Sequence, residues 1–297
     1  MKKIFSIGFF ITILSLVTFS QAVKTKTITV VTEPNSTVWI NDIKRGTTDS
    51  KGKLAVKLAA GKNTLRLRAI GFKEISQSIL PTQNGEISVV LAKSTDEAEL
   101  SFQKAEVELD KEKSSKLYET AIKLRPKYAE AFVGLARVYS SMGDSTSALE
   151  AIQNARKIRP IYPEATAVEG RIYNADGEDE KAIASFKRAI KEGKGIQPEA
   201  YTGLGLLYKG KAEGFGAASN FAEETANYEI AAKELTTALG QLFGSEPVLY
   251  ELLGGIYEKI GKKKEAIGVY ENYLKLFPNT NEATTYRSYI VQLKKQM

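Results

Sequence analysis

The sequence predicts an α+β protein of two domains, a small antiparallel β-sandwich over residues 23–93 followed by an all-α solenoid over 94–297. Three observations predict it. The pattern Leu-Gly-x-x-Tyr stands at Leu204-Gly205-x-x-Tyr208 and Leu253-Gly254-x-x-Tyr257, and recurs as Leu135-Ala136-x-x-Tyr139 and Glu169-Gly170-x-x-Tyr173. Repetition at a period of 20–50 residues marks a stacked-repeat architecture. Between Thr25 and Leu91, by contrast, apolar residues recur with period two, the signature of half-buried strands. Finally, no cysteine is present, so neither domain has a disulfide framework and each must be held by its own apolar core.

At the N-terminus, Met1-Lys2-Lys3 is a short basic region, and Ile4 to Phe19 is a 16-residue stretch without a charge. Ser20-Gln21-Ala22 then offers small residues at the two places a signal peptidase reads. Residues 1–22 are therefore expected to be a secretory signal peptide, which places the protein in the periplasm or outside the cell. The alternative is an uncleaved membrane anchor, for which 16 residues fall short of the roughly 20 that a span needs. No other stretch is apolar enough to cross a bilayer, and without cysteine no lipoprotein anchor can form.

In the β region, Thr27-Ile28-Thr29-Val30, Thr37-Val38-Trp39-Ile40, Leu54 to Leu58, Thr64 to Arg68 and Ile87 to Leu91 read as short strands. Pro34-Asn35, Asn41-Asp42, Ala60-Gly61-Lys62-Asn63 and Asn84-Gly85 punctuate them as turns. The order of Pro34, Val38, Gly46-Thr47, Gly61, Leu65, Leu67 and Gly71-Phe72 resembles the PEGA domain of bacterial surface proteins. That resemblance implies a module of surface and envelope proteins with no known chemistry of its own. Arg66 and Arg68 alternate with Leu65 and Leu67, which predicts arginines on a solvent-facing strand surface. Residues 23–93 hold 12 Lys+Arg against 5 Asp+Glu, whereas 94–297 hold 28 against 30. The basic β domain could therefore be drawn to an anionic envelope polymer or anionic lipid.

Copies of the repeat start near Ala129, Pro163, Pro198 and Pro247, and each reads as two amphipathic helices. Ala136, Gly170, Gly205 and Gly254, with Ala148, Ala182 and Ala266, allow two helix backbones to approach closely. Tyr139, Tyr173, Tyr208 and Tyr257 fill the wider gaps. Gly143, Gly177 and Gly261, four residues past the tyrosines, predict left-handed caps on the first helices. Pro126, Pro160 and Pro278 stop the second helices. This pattern resembles the tetratricopeptide repeat over roughly 95–281, with a degenerate first copy at about 95–128 held by Tyr118, Ala121 and Pro126. Glu169, Lys194 and Tyr273 depart from it, standing where an apolar residue, a proline and a small residue are usual. Residues 281–297, with Tyr286, Tyr289, Ile290 and Leu293, read as a closing helix. The fourth copy carries an insertion near 211–227, including Phe215 and Phe221, which is expected to form a loop at one edge.

Chemistry is largely excluded. With no histidine and no cysteine there is no His-based general base, no thiol nucleophile and no thiolate metal site. No phosphate-cradling Gly-x-x-x-x-Gly-Lys-[Ser/Thr] occurs, and an export signal argues against nucleic acid as a partner. A non-catalytic protein without cofactor or metal is expected, acting as a protein–protein adaptor or assembly scaffold of the bacterial cell envelope. The alternative is a surface-binding protein whose basic β domain holds a cell-wall or other anionic polymer while the repeats act as a spacer.

The tetratricopeptide resemblance implies a groove lined by the first helix of each repeat, where a protein or peptide partner would bind. Arg137 and Arg171 occupy equivalent positions, Leu206 and Gly255 take that place in the next copies, and Lys209 lies one turn beyond Leu206. Glu130, Glu164 and Glu199 form a second row seven residues earlier. Arg137, Arg171 and Lys209 are thus candidates for a basic stripe that accepts a partner carboxylate, arginine offering two-pronged geometry. In the competing reading the glutamate row neutralises the arginines and keeps the groove soluble. Phe215 and Phe221 are candidates for a second contact element.

Overall fold

The computed structural model describes residues 25–297; the expected signal peptide lies outside them. Seven strands come first: β1 (Thr25–Val31), β2 (Thr37–Ile40), β3 (Ile43–Thr47), β4 (Lys53–Ala59), β5 (Asn63–Arg68), β6 (Ile75–Ile79) and β7 (Gly85–Ser88). They form two sheets, ordered β4-β1-β7 and β3-β2-β5-β6. The inward-facing alternation closes one core around Ile28, Val30, Val38, Ile40, Val56, Leu58, Leu65, Leu67 and Ile79. All pairings are antiparallel but one: β7 runs parallel to β1, pairing Ile28 with Gly85 through Val31 with Ser88.

Sequence alternation points to neither β3 nor β6. Both are edge strands, and Ile43-Lys-Arg-Gly-Thr and Ile75-Ser-Gln-Ser-Ile carry few apolar residues because little covers them. Asn41 and Asp42 join β2 to β3 with positive φ at both positions (52° and 61°), as a tight two-residue hairpin requires. Gly52 has φ +74°, and a Cβ there would lie 1.9 Å from the Thr32 carbonyl oxygen, so only glycine fits.

Eleven helices follow: α1 (Glu97–Val107), α2 (Lys111–Leu124), α3 (Ala129–Met142), α4 (Ser145–Ile158), α5 (Pro163–Ala175), α6 (Asp179–Glu192), α7 (Pro198–Ala217), α8 (Phe221–Gln241), α9 (Pro247–Lys259), α10 (Lys263–Leu276) and α11 (Asn281–Lys295). They stack as five hairpins closed by α11. The small residues stand where expected. A Cβ on Gly170 would meet the Phe186 ring at 2.7 Å, one on Gly205 the Leu235 side chain at 2.5 Å, and one on Gly254 the Tyr270 ring at 2.2 Å. Gly143, Gly177 and Gly261 all have the positive φ of a left-handed cap. No helix among the described residues is long and apolar enough to cross a membrane.

The departures from the repeat pattern have local explanations. Glu169 is held by Arg156 and Arg188. Lys194, in a left-handed conformation (φ 53°), ends the hairpin that elsewhere ends at proline. Tyr273 is buried among Tyr250, Phe277 and Tyr286. The insertion near 211–227 is helical, not a loop. It lengthens α7 and α8 to 20 and 21 residues, against 13 or 14 in the hairpins on either side, leaving only Ala218-Ser219-Asn220 as the turn. Ala and Glu dominate the inserted residues and favour helix. Ala212, Asn227 and Tyr228 give the extension a buried seam, which outweighs Gly210, Gly214 and Gly216.

Candidate functional site

The β domain is docked onto the solenoid, and the contacts are made by the arginines expected on a solvent face. Arg68 is buried, and its guanidinium meets Glu74 at 2.5 Å and Glu106 of α1 at 2.8 Å. Its guanidinium carbon lies 4.5 Å from the Phe102 ring centroid and 4.9 Å from that of Trp39. Arg66, with a side chain only 14% exposed, stacks on the same Trp39 ring at 4.3 Å and reaches Glu130 of α3 at 3.4 Å. Arg45, beyond the β2–β3 hairpin tip, donates to the Gln241 carbonyl oxygen at 2.7 Å and covers the Phe243 ring. Sequence alternation places the Arg66 and Arg68 side chains correctly on the outer face of the sheet. It does not reveal that a second domain covers that face.

The joint is also hydrogen-bonded along the chain. The Gln103 side chain accepts from the Gly71 amide at 2.9 Å and donates to the Phe72 carbonyl at 2.7 Å. Glu99 accepts from the Glu74 amide and the Ser94 hydroxyl, each at 2.7 Å. These bonds satisfy backbone polar groups at the joint, each of which would cost about 1–3 kcal/mol if buried without a partner. Between the domains remains a cleft of about 810 Å³, lined by Trp39, Arg68, Gln103, Arg137, Glu164 and Glu199 among others.

The sequence-predicted site residues divide into three places. Arg137 and Arg171 come together on the inner face of the solenoid, where both bind Glu199. Arg137 does so with two nitrogens, at 2.7 and 2.8 Å, and touches Glu164 at 3.2 Å; Arg171 reaches Glu199 at 3.2 Å. Burial alone would raise the pKa of Glu199. The guanidinium groups of Arg137 and then Arg171 outweigh it and hold the carboxyl below its ordinary value. Lys209 does not join them: its ammonium pairs at 2.6 Å with Glu213, one turn along its own helix. Phe215 and Phe221 flank the turn at the tip of the long α7–α8 hairpin, Phe215 half-buried and Phe221 exposed. Chemically, then, the inner face is an array of matched charge at its N-terminal end. Among the described residues no group of three or more acidic side chains is arranged to hold a metal ion.

Comparison with known proteins bears on the fold. Residues 133–195 and 250–280 each match models of the tetratricopeptide repeat. Among curated proteins no relative matches the sequence. Several solved structures do. A thermophilic tetratricopeptide-repeat protein of Thermus thermophilus is similar over 61% of this chain and 91% of its own, at 21% identity and a TM-score of 0.45. Human IFIT1, solved with m7Gppp-AAAA, is similar over 60% of this chain at 17% identity (TM-score 0.51), and yeast Tom70 over 68% at 15% identity (TM-score 0.52). The chain spans 41% of the length of each of those two. The likeness is one of fold: this chain carries tetratricopeptide repeats behind a small β domain.

Proposed function

We propose that this repeat-bearing chain is a non-catalytic adaptor or assembly scaffold of the bacterial cell envelope, binding a protein partner on the inner face of its solenoid. Tetratricopeptide repeats generally mediate protein–protein interaction, and the paired rows of Arg137, Arg171, Glu164 and Glu199 on that face carry the reading. Export rests on the basic and then uncharged N-terminus ending at Ser20-Gln21-Ala22. The PEGA-like order of residues in the β domain supports the same compartment. Arg137 and Arg171 offer guanidinium nitrogens that a partner carboxylate could take over from Glu199, exchanging one charge-assisted pair for another. Phe221, exposed at the hairpin tip, offers a second contact.

The test begins with affinity capture from the native envelope. Once a partner is recovered, Arg137→Ala combined with Arg171→Ala is expected to weaken its binding at least tenfold, about 1.4 kcal/mol. Unchanged affinity in the double variant would move the contact to Phe215 and Phe221.

A second reading keeps one observation in its favour. Lys51, Lys53, Lys57 and Lys62 are exposed on the side of the β domain built by β4 and its turns. These lysines could hold an anionic cell-wall polymer, with the solenoid as spacer. Sedimentation with purified peptidoglycan decides it: retention that is lost when the four lysines become glutamine would favour this reading over the adaptor.

A further inference from the structure

The C-terminal end of the inner face is built differently from the rest. Gly255 occupies the position held by Arg137, Arg171 and Leu206 in the preceding copies, so the last repeat presents no side chain there. A Cβ at Gly255 would meet nothing within 4 Å. The gap opens a recess of about 550 Å³ between α9 and the closing helix α11. Tyr270 and Tyr286, stacked at 4.8 Å with their planes 14° apart, form its floor. Tyr289, 40% exposed, forms a wall.

Three carboxylates surround this aromatic recess. Glu251 and Glu258 stand one turn either side of Gly255 on α9, and Glu282 faces them from α11. None of the three takes part in a salt bridge among the described residues, whereas the groove carboxylates Glu130, Glu164 and Glu199 are all bound by arginine. Glu258 accepts a hydrogen bond from the Tyr270 hydroxyl at 2.5 Å, which fixes it at the rim. Lys259 is the only cationic side chain lining the recess among the described residues. Burial, and then Glu251, push the pKa of the Tyr286 hydroxyl up to about 12, so the stacked ring stays a neutral phenol.

Resting on the reading that the solenoid's inner face binds a protein, we propose that this recess receives an arginine side chain of the partner. A guanidinium is planar, stacks on a tyrosine ring and pairs two-pronged with carboxylates. The recess supplies both elements within one side chain's reach. An aliphatic side chain would leave the three carboxylates without a cationic partner, and an acidic one would be repelled.

The probe is a dye-labelled peptide, acetyl-(Gly-Arg)4-Gly-amide, titrated against the whole protein by fluorescence anisotropy at low salt, with acetyl-(Gly-Gln)4-Gly-amide as the reference. The arginine peptide is expected to bind and the glutamine peptide not. Gly255→Leu fills the recess without changing net charge and should weaken binding at least tenfold. Glu251→Gln combined with Glu258→Gln should weaken it similarly, and serves alone if Gly255→Leu lowers the thermal midpoint. Failure of the parent to bind, or parent-like binding by the variants, would overturn the proposal. The broader adaptor reading fails separately, if capture from the envelope with the intact chain recovers no protein.

Discussion

The two ends of one inner face make opposite use of the same repeat positions. At the N-terminal end the β domain is docked against α1 and α3, and the groove carboxylates Glu130, Glu164 and Glu199 each find a guanidinium. At the C-terminal end the arginine position is Gly255, and the place taken by Lys209 in the preceding copy holds Glu258. Among the described residues no domain covers that end, and its carboxylates form no salt bridge. A stacked scaffold therefore sets spacing and curvature, while charge character is written copy by copy. The matched end suits rigidity; the unmatched end suits an incoming cation.

The largest expected effect separates two neighbouring glycines. Gly254→Leu drives a side chain into the Tyr270 ring, 2.2 Å from the Cβ position. It should cost about 3 kcal/mol or more, since the usual overpacking cost of about 1–3 kcal/mol assumes some room to relax. Gly255→Leu, one residue on, meets open space and should be neutral or stabilise by up to about 1 kcal/mol through helix propensity. Urea midpoints measure both, and equal midpoints for Gly254→Leu and the parent would show that the helix contact is misplaced.

At the other end, Arg68→Ala leaves Glu106 without its partner and Glu74 with only Arg66, at 3.6 Å, and strips Phe102 of its cover. A loss of about 2–3 kcal/mol is expected, less than for a fully buried pair because both carboxylates are partly solvated. Proteolysis should then cut between Leu91 and Asp96 faster than in the parent. The solenoid itself should survive: a fragment of residues 94–297 keeps its own apolar clusters and the closing helix, and should melt cooperatively by circular dichroism. Disorder in that fragment would mean that the β domain is part of the solenoid's core.

The smallest effect concerns pH. Glu199 has a depressed pKa, so its pairing stabilises the fold above the ordinary carboxyl value of 4.5 and is lost as pH falls through its lower folded value. Glu199→Gln should therefore flatten the fall in thermal midpoint between about pH 5 and pH 3, by less than about 1 kcal/mol because the pair is partly solvated. A curve parallel to the parent's would show that Arg137 and Arg171 contribute no net charge pairing there.

Much of the fold is legible because its signals are local. Helix pairs follow from Leu-Gly-x-x-Tyr, their ends from Gly143, Gly177 and Gly261, and the strands from alternation at Thr27–Val30 and Thr64–Arg68. Edge strands β3 and β6 escape because alternation needs two covered neighbours to be enforced. The helical insertion escapes because its glycines read as loop residues until the seam at Ala212 and Tyr228 is in place. Of the candidate site residues, Arg137 and Arg171 share a face because equivalent positions stack. Lys209 stands apart because Glu213 lies within reach on its own helix.

By itself, then, the sequence determined the two-domain order, the repeat and its closing helix, since these depend on spacings within about 50 residues. Only the tertiary structure decided that Arg45, Arg66 and Arg68 join the domains, and that Gly255 opens onto tyrosines of two other helices. Arg45 meets Gln241 across 196 positions, and Arg66 meets Glu130 across 64. An alternating arginine reads the same whether water or a second domain lies beyond it. The difference comes from how the stack of helices curves, a sum of small rotations at each repeat interface that no short window of residues contains.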